Sequence, residues 1–198
     1  MSRLTYALLL AATLGFAATL HADDDVSQPM ILVAKPELQD PGYAHTVLVV
    51  APLGGDQHIG FIINRPSEAT LGNLFPEDRA SQKVPDPVYV GGPNQPGMIF
   101  ALVARASSPG GKSLAVLPGL YAAVDEKTVD NIIRADARAT GRRFVAGFVA
   151  WNEGELYDEV KAGAWYVLKP DPQLVLDKPA EGLWQDLVQR SQAAENAI

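Results

Sequence analysis

The sequence predicts an α+β protein with a mixed, mostly antiparallel sheet. Runs of strand length that are rich in Val and Ile are separated by Gly, Pro and Asp. Several of these runs are joined by short hairpin-like turns, whereas helical periodicity is concentrated in the second half. Regular strand–helix–strand alternation is absent, so an all-parallel sheet is not expected. At 198 residues without a linker-like segment, the chain fits one domain of ordinary size.

The first half of the chain carries most of the strand signals. A Gly-Gly turn at residues 53–56 joins two of the strands, and Thr70 is placed to cap a short helix at 71–75. Polar residues 76–87 contain prolines and are expected to form a surface loop. The strands predicted in this half are Met30–Ala34, 46–51, 59–64, 88–90 and 98–104.

Helices and strands mix in the second half. A Pro118-Gly119 turn joins strands at 114–117 and 120–124. Asp125 is a cap for a helix that extends to about Thr140. Asn152 and Glu155 have the spacing of a capping box for a further helix. The remaining predicted elements are strands at 143–151 and Trp165–Leu168 and a helix at 183–194.

Composition narrows the classes of function. The formal charge is −7, from 23 acidic and 16 basic residues, and such a field repels phosphate backbones. DNA binding is therefore not favoured, whereas an unknown protein or small-molecule partner is compatible with the charge. The chain has no cysteine, which excludes disulfides, thiolate nucleophiles and zinc–thiolate sites.

Residues 1–22 have the layout of a secretory signal peptide. A short positive start precedes an apolar run over residues 4–20, and Ala22 supplies a small residue before three aspartates. Cleavage after Ala22 would leave residues 23–198 as one periplasmic or secreted domain without a membrane span. The alternatives are an uncleaved N-terminal anchor, because the run approaches the length that crosses a bilayer, or a misassigned start codon.

The sequence contains no convincing catalytic motif. Residues 106–113 (ASSPGGKS) satisfy a permissive phosphate-loop pattern, but a strand rather than the required helix is predicted after them. His45 and His58 lack metal-ligand spacing and are expected to be surface residues near strand edges. The sequence thus indicates no catalytic residue, metal ligand or cofactor.

Two clusters of charged residues have ordinary structural explanations. Acidic residues in the first turn of a helix interact favourably with the helix dipole, and arginines near the C-terminal end of a helix do so at that end. We therefore expect the first cluster to stabilise its helix and the second to form a solvated helix face. The acidic cluster is Glu153, Glu155, Asp158 and Glu159, and the basic cluster is Arg134, Arg138, Arg142 and Arg143.

Four segments in order resemble the YqgE/AlgH family, whose members are commonly described as uncharacterised proteins or transcriptional regulators. They are residues 38–41 (LQDP), 60–66 (GFIINRP), 90–93 (VGGP) with Gln95, and 147–151 (GFVAW) followed by 154–156 (GEL) and Trp165. The resemblance extends from about Met30 to Leu187. It implies that the sheet curls into a partial barrel with helices packed outside.

The resemblance supplies signature positions but no established catalytic residues. These are Asp40, Asn64, Arg65, Pro66, Gly91, Gly92, Pro93, Gln95, Trp151 and Gly154. From these we take Asp40, Asn64, Arg65, Gly91, Gly92, Gln95 and Trp151 as candidate binding residues. If the strand ends that carry them converge, they form a polar pocket with an aromatic wall; otherwise they are turn and packing residues.

This chain departs from the family pattern at three points. It carries an apparent signal peptide, His45 stands where the family usually has Arg, and Glu155 where Gln is usual. Three functions therefore stay open. The first is an exported, non-catalytic binding or regulatory module. The second is a hydrolase-type enzyme with a polar site near Asp40, Asn64 and Arg65, and the third is a transcriptional regulator, which export and net charge disfavour.

Overall fold

A computed structural model describes residues 26–135, 141–176 and 179–196. Within them the chain forms ten strands and five α-helices, which confirms the predicted α+β class. The strands are β1 (Met30–Ala34), β2 (Val47–Gly54), β3 (Gln57–Ile62), β4 (Pro66–Thr70), β5 (Pro87–Val90), β6 (Asn94–Ala104), β7 (Ser113–Leu117), β8 (Leu120–Ala123), β9 (Arg142–Trp151) and β10 (Trp165–Leu168). The helices are α1 (Leu71–Leu74), α2 (Glu126–Ala135), α3 (Glu155–Lys161), α4 (Pro172–Leu176) and α5 (Leu183–Glu195).

The strands form one mixed sheet that curls into a half-barrel. Its main path runs β10-β1-β2-β3-β9-β6-β8-β7, and all neighbours along this path are antiparallel. Off the path, β4 pairs antiparallel with β5, and β5 pairs parallel with β9. Contacts between β2 and β7 close part of the curl. The mostly antiparallel sheet and the partial barrel expected from the resemblance are both confirmed.

Strands β1 and β2 are buried on both faces, which explains why their sequences are continuously apolar. One face, including Ile31 and Val49, packs with α5. The opposite face, including Leu32 and Val50, packs with Trp151, Trp165 and Leu156 of α3. A third cluster lies under α2, whose Val129, Ile132 and Ile133 pack on β6, β8 and β9. The predicted helical spacing of these three side chains is therefore the core-facing stripe of α2.

Two elements were not predicted from the sequence. Strand β4 contains a proline and has one β-branched residue, and it pairs only with β5, so its sequence lacks a normal strand signal. Helix α4 has five residues, too few for periodicity to show. The loop predicted at 76–87 contains a 3-10 helix, Ser81–Lys83, and β6 begins earlier than expected, at Asn94, through a register irregularity before Ile99.

The helix ends test the predicted caps. Thr70 and Asn73 form a reciprocal capping box at α1, and the Asp125 carboxylate accepts a bond from the Thr128 N–H, as expected of a cap. At α3 the predicted capping box is wrong. Gly154, with φ 80°, occupies the cap position, because the helix begins only at Glu155. The Glu155 carboxylate still reaches back to the Asn152 N–H (2.7 Å), and hydrogen bonds from the side chain and backbone of Asn152 lower its pKa.

Some predicted features lie outside the described residues. These are the signal peptide at residues 1–22 and the expected end of the second helix, including Arg138. Among the helices of residues 26–135, 141–176 and 179–196, none combines the length and apolarity that crossing a membrane requires.

Candidate functional site

Asn64 fixes the loop that precedes β2. Its side-chain oxygen accepts a hydrogen bond from the Val47 N–H (2.8 Å), and its amide nitrogen donates to the His45 carbonyl (2.9 Å). Because β3 ends at Ile62, the chain is leaving the sheet here and can aim the Asn64 side chain back across β2. The Asn64 side chain therefore makes hydrogen bonds that main-chain groups would make if the pairing of β2 with the chain after β3 continued.

Arg65 holds the same loop from the other side. Its guanidinium donates to the carbonyls of Gly42 (2.7 Å), Ala44 (2.9 Å) and Pro41 (3.2 Å). Asp40 stabilises the start of the loop, because its carboxylate accepts a hydrogen bond from the Gly42 N–H at 2.7 Å. Three of the predicted site residues are thus brought together, and their polar groups are engaged with the main chain of residues 41–47.

His45 lies at the tip of this loop with a positive φ of 60°. Its ring is exposed and packs edge-on against Trp184 of α5, with centroids 4.3 Å apart. The Trp184 indole in turn donates to the Ala34 carbonyl at the end of β1 (2.7 Å). The predicted surface position of His45 is confirmed, and its contact docks the loop on α5.

Gly91 and Gly92 lie next to Arg65. The Val90 N–H donates to the Arg65 carbonyl and the Ile62 N–H to the Gly91 carbonyl, both at 2.8 Å. A β-carbon on either glycine would collide with the backbone of residues 147–149 in β9. The double glycine therefore permits a close approach to strand β9. Gln95, with φ 47°, is exposed beyond this crossing.

Trp151 lies at the other end of β3. It pairs with His58 at the start of that strand, and its ring covers Gly60, where a β-carbon would lie only 2.8 Å from the ring. Trp151 is buried in the same apolar cluster as Trp165, on which Tyr43 of the loop held by Arg65 packs, so Trp151 does not form an open aromatic wall.

Glu159 is a residue whose role sequence reasoning missed. One of its carboxylate oxygens accepts hydrogen bonds from the indole nitrogens of Trp151 (3.0 Å) and Trp165 (2.8 Å), two rings that are 96% buried. Tyr43 packs edge-on against Trp165, and its pKa is raised by burial and by the charges of Glu159 and Asp40. No spacing in the sequence distinguishes Glu159 from its acidic neighbours, because the tryptophans come from two different strands.

His58 is buried, so its predicted surface position is wrong. The β2–β3 hairpin places it against the start of the described chain, where its Nε2 donates to the Val26 carbonyl at 2.6 Å. A cavity of about 380 Å³ adjoins it, lined also by Asp56, Gly154 and Tyr157. Within residues 26–135, 141–176 and 179–196, no His, Asp and Glu side chains form a group of three or more that could hold a metal ion.

The phosphate-loop candidate, residues 106–113, is a loop that leads into the hairpin of β7 and β8. Strand β7 begins at Ser113, where a phosphate loop would need a helix. The Asp125 carboxylate accepts from the Lys112 N–H at 3.0 Å, so an acidic side chain occupies the place where an anion would have to bind. The strand predicted after this loop is thus confirmed, and the Asp125 contact is a second departure from what a phosphate loop requires.

The predicted arginine face is wrong for two of its members. The described part of α2 ends at Ala135, and Arg142 and Arg143 belong to β9. Arg143 is buried and donates to the Ile63 carbonyl (2.6 Å), and burial lowers its pKa. Arg134 is exposed on α2 as predicted, and it contacts Asp78 at 3.2 Å and Asp130 at 3.6 Å.

A groove of about 560 Å³, which the sequence did not signal, opens between α1, β6 and α2. Its floor includes buried Leu71, Val129 and Ile133. Phe75 and Met98 stand at its sides, 44% and 38% exposed, so two large apolar side chains are exposed beside one concave surface. We call this the α1–α2 groove. It is assembled from three separate parts of the chain, so no local pattern could reveal it.

Four charged residues line the α1–α2 groove. Asp78 is held by the Ser81 side chain (2.7 Å) and N–H (2.9 Å), and these hydrogen bonds lower its pKa. Arg134 bridges Asp78 and Asp130, while Glu126 is exposed at the first position of α2. With three carboxylates and one guanidinium, the lining carries a formal charge of −3 + 1 = −2.

Comparison with known proteins gives consistent matches over nearly all of the described chain. The AlgH-like family matches residues 31–195. A UPF0301 protein of Thermobifida fusca is 33% identical over 169 residues, covering 81% of this chain and 84% of its own. A UPF0301 protein of Chlorobaculum tepidum is 28% identical over 166 residues, covering 83% and 86%. The fold is similar to the solution structure of the AlgH protein from Pseudomonas aeruginosa, with a TM-score of 0.69 and 24% identity over 86% of this chain and 90% of that one.

The half-barrel and the signature segments therefore define an α+β protein of a recognised class. The chain belongs to the AlgH-like family, whose members in these comparisons carry no described activity. The resemblance noted on four sequence segments is confirmed.

Proposed function

We propose that this protein is an exported, non-catalytic binding module and that its partner binds in the α1–α2 groove. The observation that carries the proposal is the exposure of Phe75 and Met98 beside an open cavity with a buried apolar floor. Concave apolar surface flanked by a few polar groups is typical of binding sites, because its burial by a partner is favourable.

The signature residues support a structural role over a catalytic one. A hydrolase built on Asp40, Asn64 and Arg65 would need their polar groups at a substrate. Instead, Arg65 donates to three backbone carbonyls, and Asn64 uses its oxygen and its nitrogen on the main chain. Groups committed in this way shape a loop, and their release would first cost those hydrogen bonds.

Site-directed cross-linking in the native host tests the binding role. A photoreactive phenylalanine analogue would replace Phe75, and a matched control would replace Leu53, which is 53% exposed at the end of β2 and outside the groove. We expect a discrete adduct from position 75 and none from position 53, since only the former lies beside the cavity. Equal labelling, or no adduct at position 75, would overturn the proposal.

Export is tested by the intact mass of the native protein from separated periplasmic and cytoplasmic fractions. The layout of residues 1–22 supports a periplasmic species that begins at Asp23. A full-length cytoplasmic species would refute export and return transcriptional regulation to consideration.

A further inference from the structure

We propose that the α1–α2 groove binds a segment of another protein that presents an apolar side chain next to a lysine or arginine. This inference rests on the proposed function and adds the chemistry of the partner. It combines the shape of the groove with the sign of its charge, two features that are independent of each other.

The α1–α2 groove is lined on one side by Gly97 of β6, and a β-carbon built there meets no atom within 4 Å. The floor under this opening is apolar, with Ile99 of β6 beside Val129 and Ile133 of α2. The apolar surface of an inserted Leu-sized or Phe-sized side chain would be removed from water there, and this burial would favour binding.

The lining of the α1–α2 groove has more carboxylates than cations. Arg134 is already shared between Asp78 and Asp130, so the lining has more acceptors for a cation than cations to fill them. Glu126 makes no ion pair with any residue in the described ranges of the chain, and it faces solvent at the start of α2. A lysine or arginine of a partner could form ion pairs with these carboxylates without displacing Arg134.

The apolar side chain and the basic side chain of the partner have different tasks. An exposed ion pair contributes little to affinity, so the apolar side chain has to supply most of it. The carboxylates instead select the sign of the partner's charge and speed its association at low salt. An acidic segment would place like charges beside Glu126 and Asp130 and would be rejected.

The test is selection of peptides from a randomised display library on the purified native protein. Binders are counter-selected against Gly97→Trp, which adds a bulky side chain to the groove lining without backbone strain because Gly97 has no positive φ. We expect enriched peptides to carry an apolar residue adjacent to Lys or Arg, to bind less tightly as salt rises, and to lose binding to Gly97→Trp. Enriched peptides without basic bias, or with acidic bias, would overturn the inference.

A variant series then measures the contribution of charge with the enriched peptide. Glu126→Gln should weaken binding by about two- to fivefold, the equivalent of one exposed ion pair. Glu153→Gln is the matched control, because Glu153 is exposed near α3 and does not line the groove; it should leave binding unchanged. Equal effects of both substitutions would contradict the assignment, and thermal unfolding of each variant verifies that it is folded.

The outcomes separate this inference from the function on which it rests. If position 75 forms adducts but the peptide selection fails, the binding module stands and its proposed partner chemistry is refuted. The same holds if the adduct at position 75 is to a second copy of this chain. Absence of both adducts and binders would refute the two together.

Discussion

The guanidinium of Arg143 lies over the ring of Tyr89, with its central carbon 4.3 Å from the ring centroid. The same group donates to the Ile63 carbonyl, so one buried cation of β9 joins β5 to the chain that leaves β3. The parallel pairing of β5 with β9 sets this contact, because Tyr89 is opposite Val145.

Replacement of Arg143 by Met should therefore destabilise the fold. Met keeps much of the apolar stem but leaves the Ile63 carbonyl without its donor in a buried place, which costs about 1–3 kcal/mol. Arg143→Lys should recover part of this loss, because an ammonium can donate to the carbonyl but cannot lie flat on the ring. Urea unfolding of the three proteins measures the difference, and equal stability of Met and Arg would contradict a bonding role.

Arg65→Ala should loosen residues 41–46. The loss of three donor contacts to backbone carbonyls is expected to cost about 1–2 kcal/mol, since hydrogen bonds to charged groups are stronger than neutral ones. Hydrogen exchange at the amides of Tyr43 and Ala44 should accelerate, whereas exchange in α2 should not. If a partner binds the α1–α2 groove, its affinity should stay unchanged in this variant; a large loss of affinity would instead make Arg65 a ligand-binding residue.

Glu159→Ala should destabilise the sheet face that carries Trp151 and Trp165. Both indole N–H groups would lose their shared acceptor in nearly buried rings, at a cost of about 1–3 kcal/mol. Chemical unfolding followed by tryptophan fluorescence measures the change. Glu153→Ala is the control in the same acidic cluster, and as a surface substitution it should stay within about 0.5 kcal/mol of the parent.

Gly91→Ala and Gly97→Ala should differ sharply in stability, although Gly91 directly follows β5 and Gly97 lies near the start of β6. At Gly91 a methyl group would meet the Gly147 carbonyl and the Val145 side chain of β9, and forcing these strands apart costs about 1–3 kcal/mol. At Gly97 the methyl group enters open space, so stability should hardly change. Similar unfolding midpoints for the two variants would show that the β5–β9 approach is less tight than the structure indicates.

The Asp125 carboxylate should make stability depend on pH. Its folded pKa is lowered from the ordinary value of 3.8, first by the hydrogen bond from the Thr128 side chain and then by backbone N–H groups of Lys112 and Thr128. A depressed folded pKa means that the stabilisation is complete above 3.8 and is lost as the pH falls through the folded value. Unfolding midpoints at pH 5.5 and pH 3 should therefore differ less in Asp125→Asn than in the parent. Asp78 and Glu155 also have lowered pKa values and should maintain part of the slope.

Sequence patterns were most informative where an element is determined locally. The strand at Met30–Ala34, the hairpin around Pro118-Gly119 and the Thr70 cap were all predicted, because each depends on residues adjacent in the chain. Strand β4 was missed, since Pro66–Thr70 is a strand only because β5 offers it a partner. For the same reason His58 and Arg143 were misplaced: their burial depends on Val26 and Ile63, which are distant in sequence.

The sequence by itself determined the α+β class and the family, since these follow from local propensity and a retained order of segments, but it left open whether Asp40, Asn64 and Arg65 converge. Only the tertiary structure decided what those residues bind and where a partner could dock. The Asn64 and Arg65 side chains bond to carbonyls and amides about twenty residues away, and the α1–α2 groove is formed by α1, β6 and α2 from three distant segments. Periodicity reports which face of an element is buried, but a groove depends on how far packed elements stand apart, which is a property of the whole core.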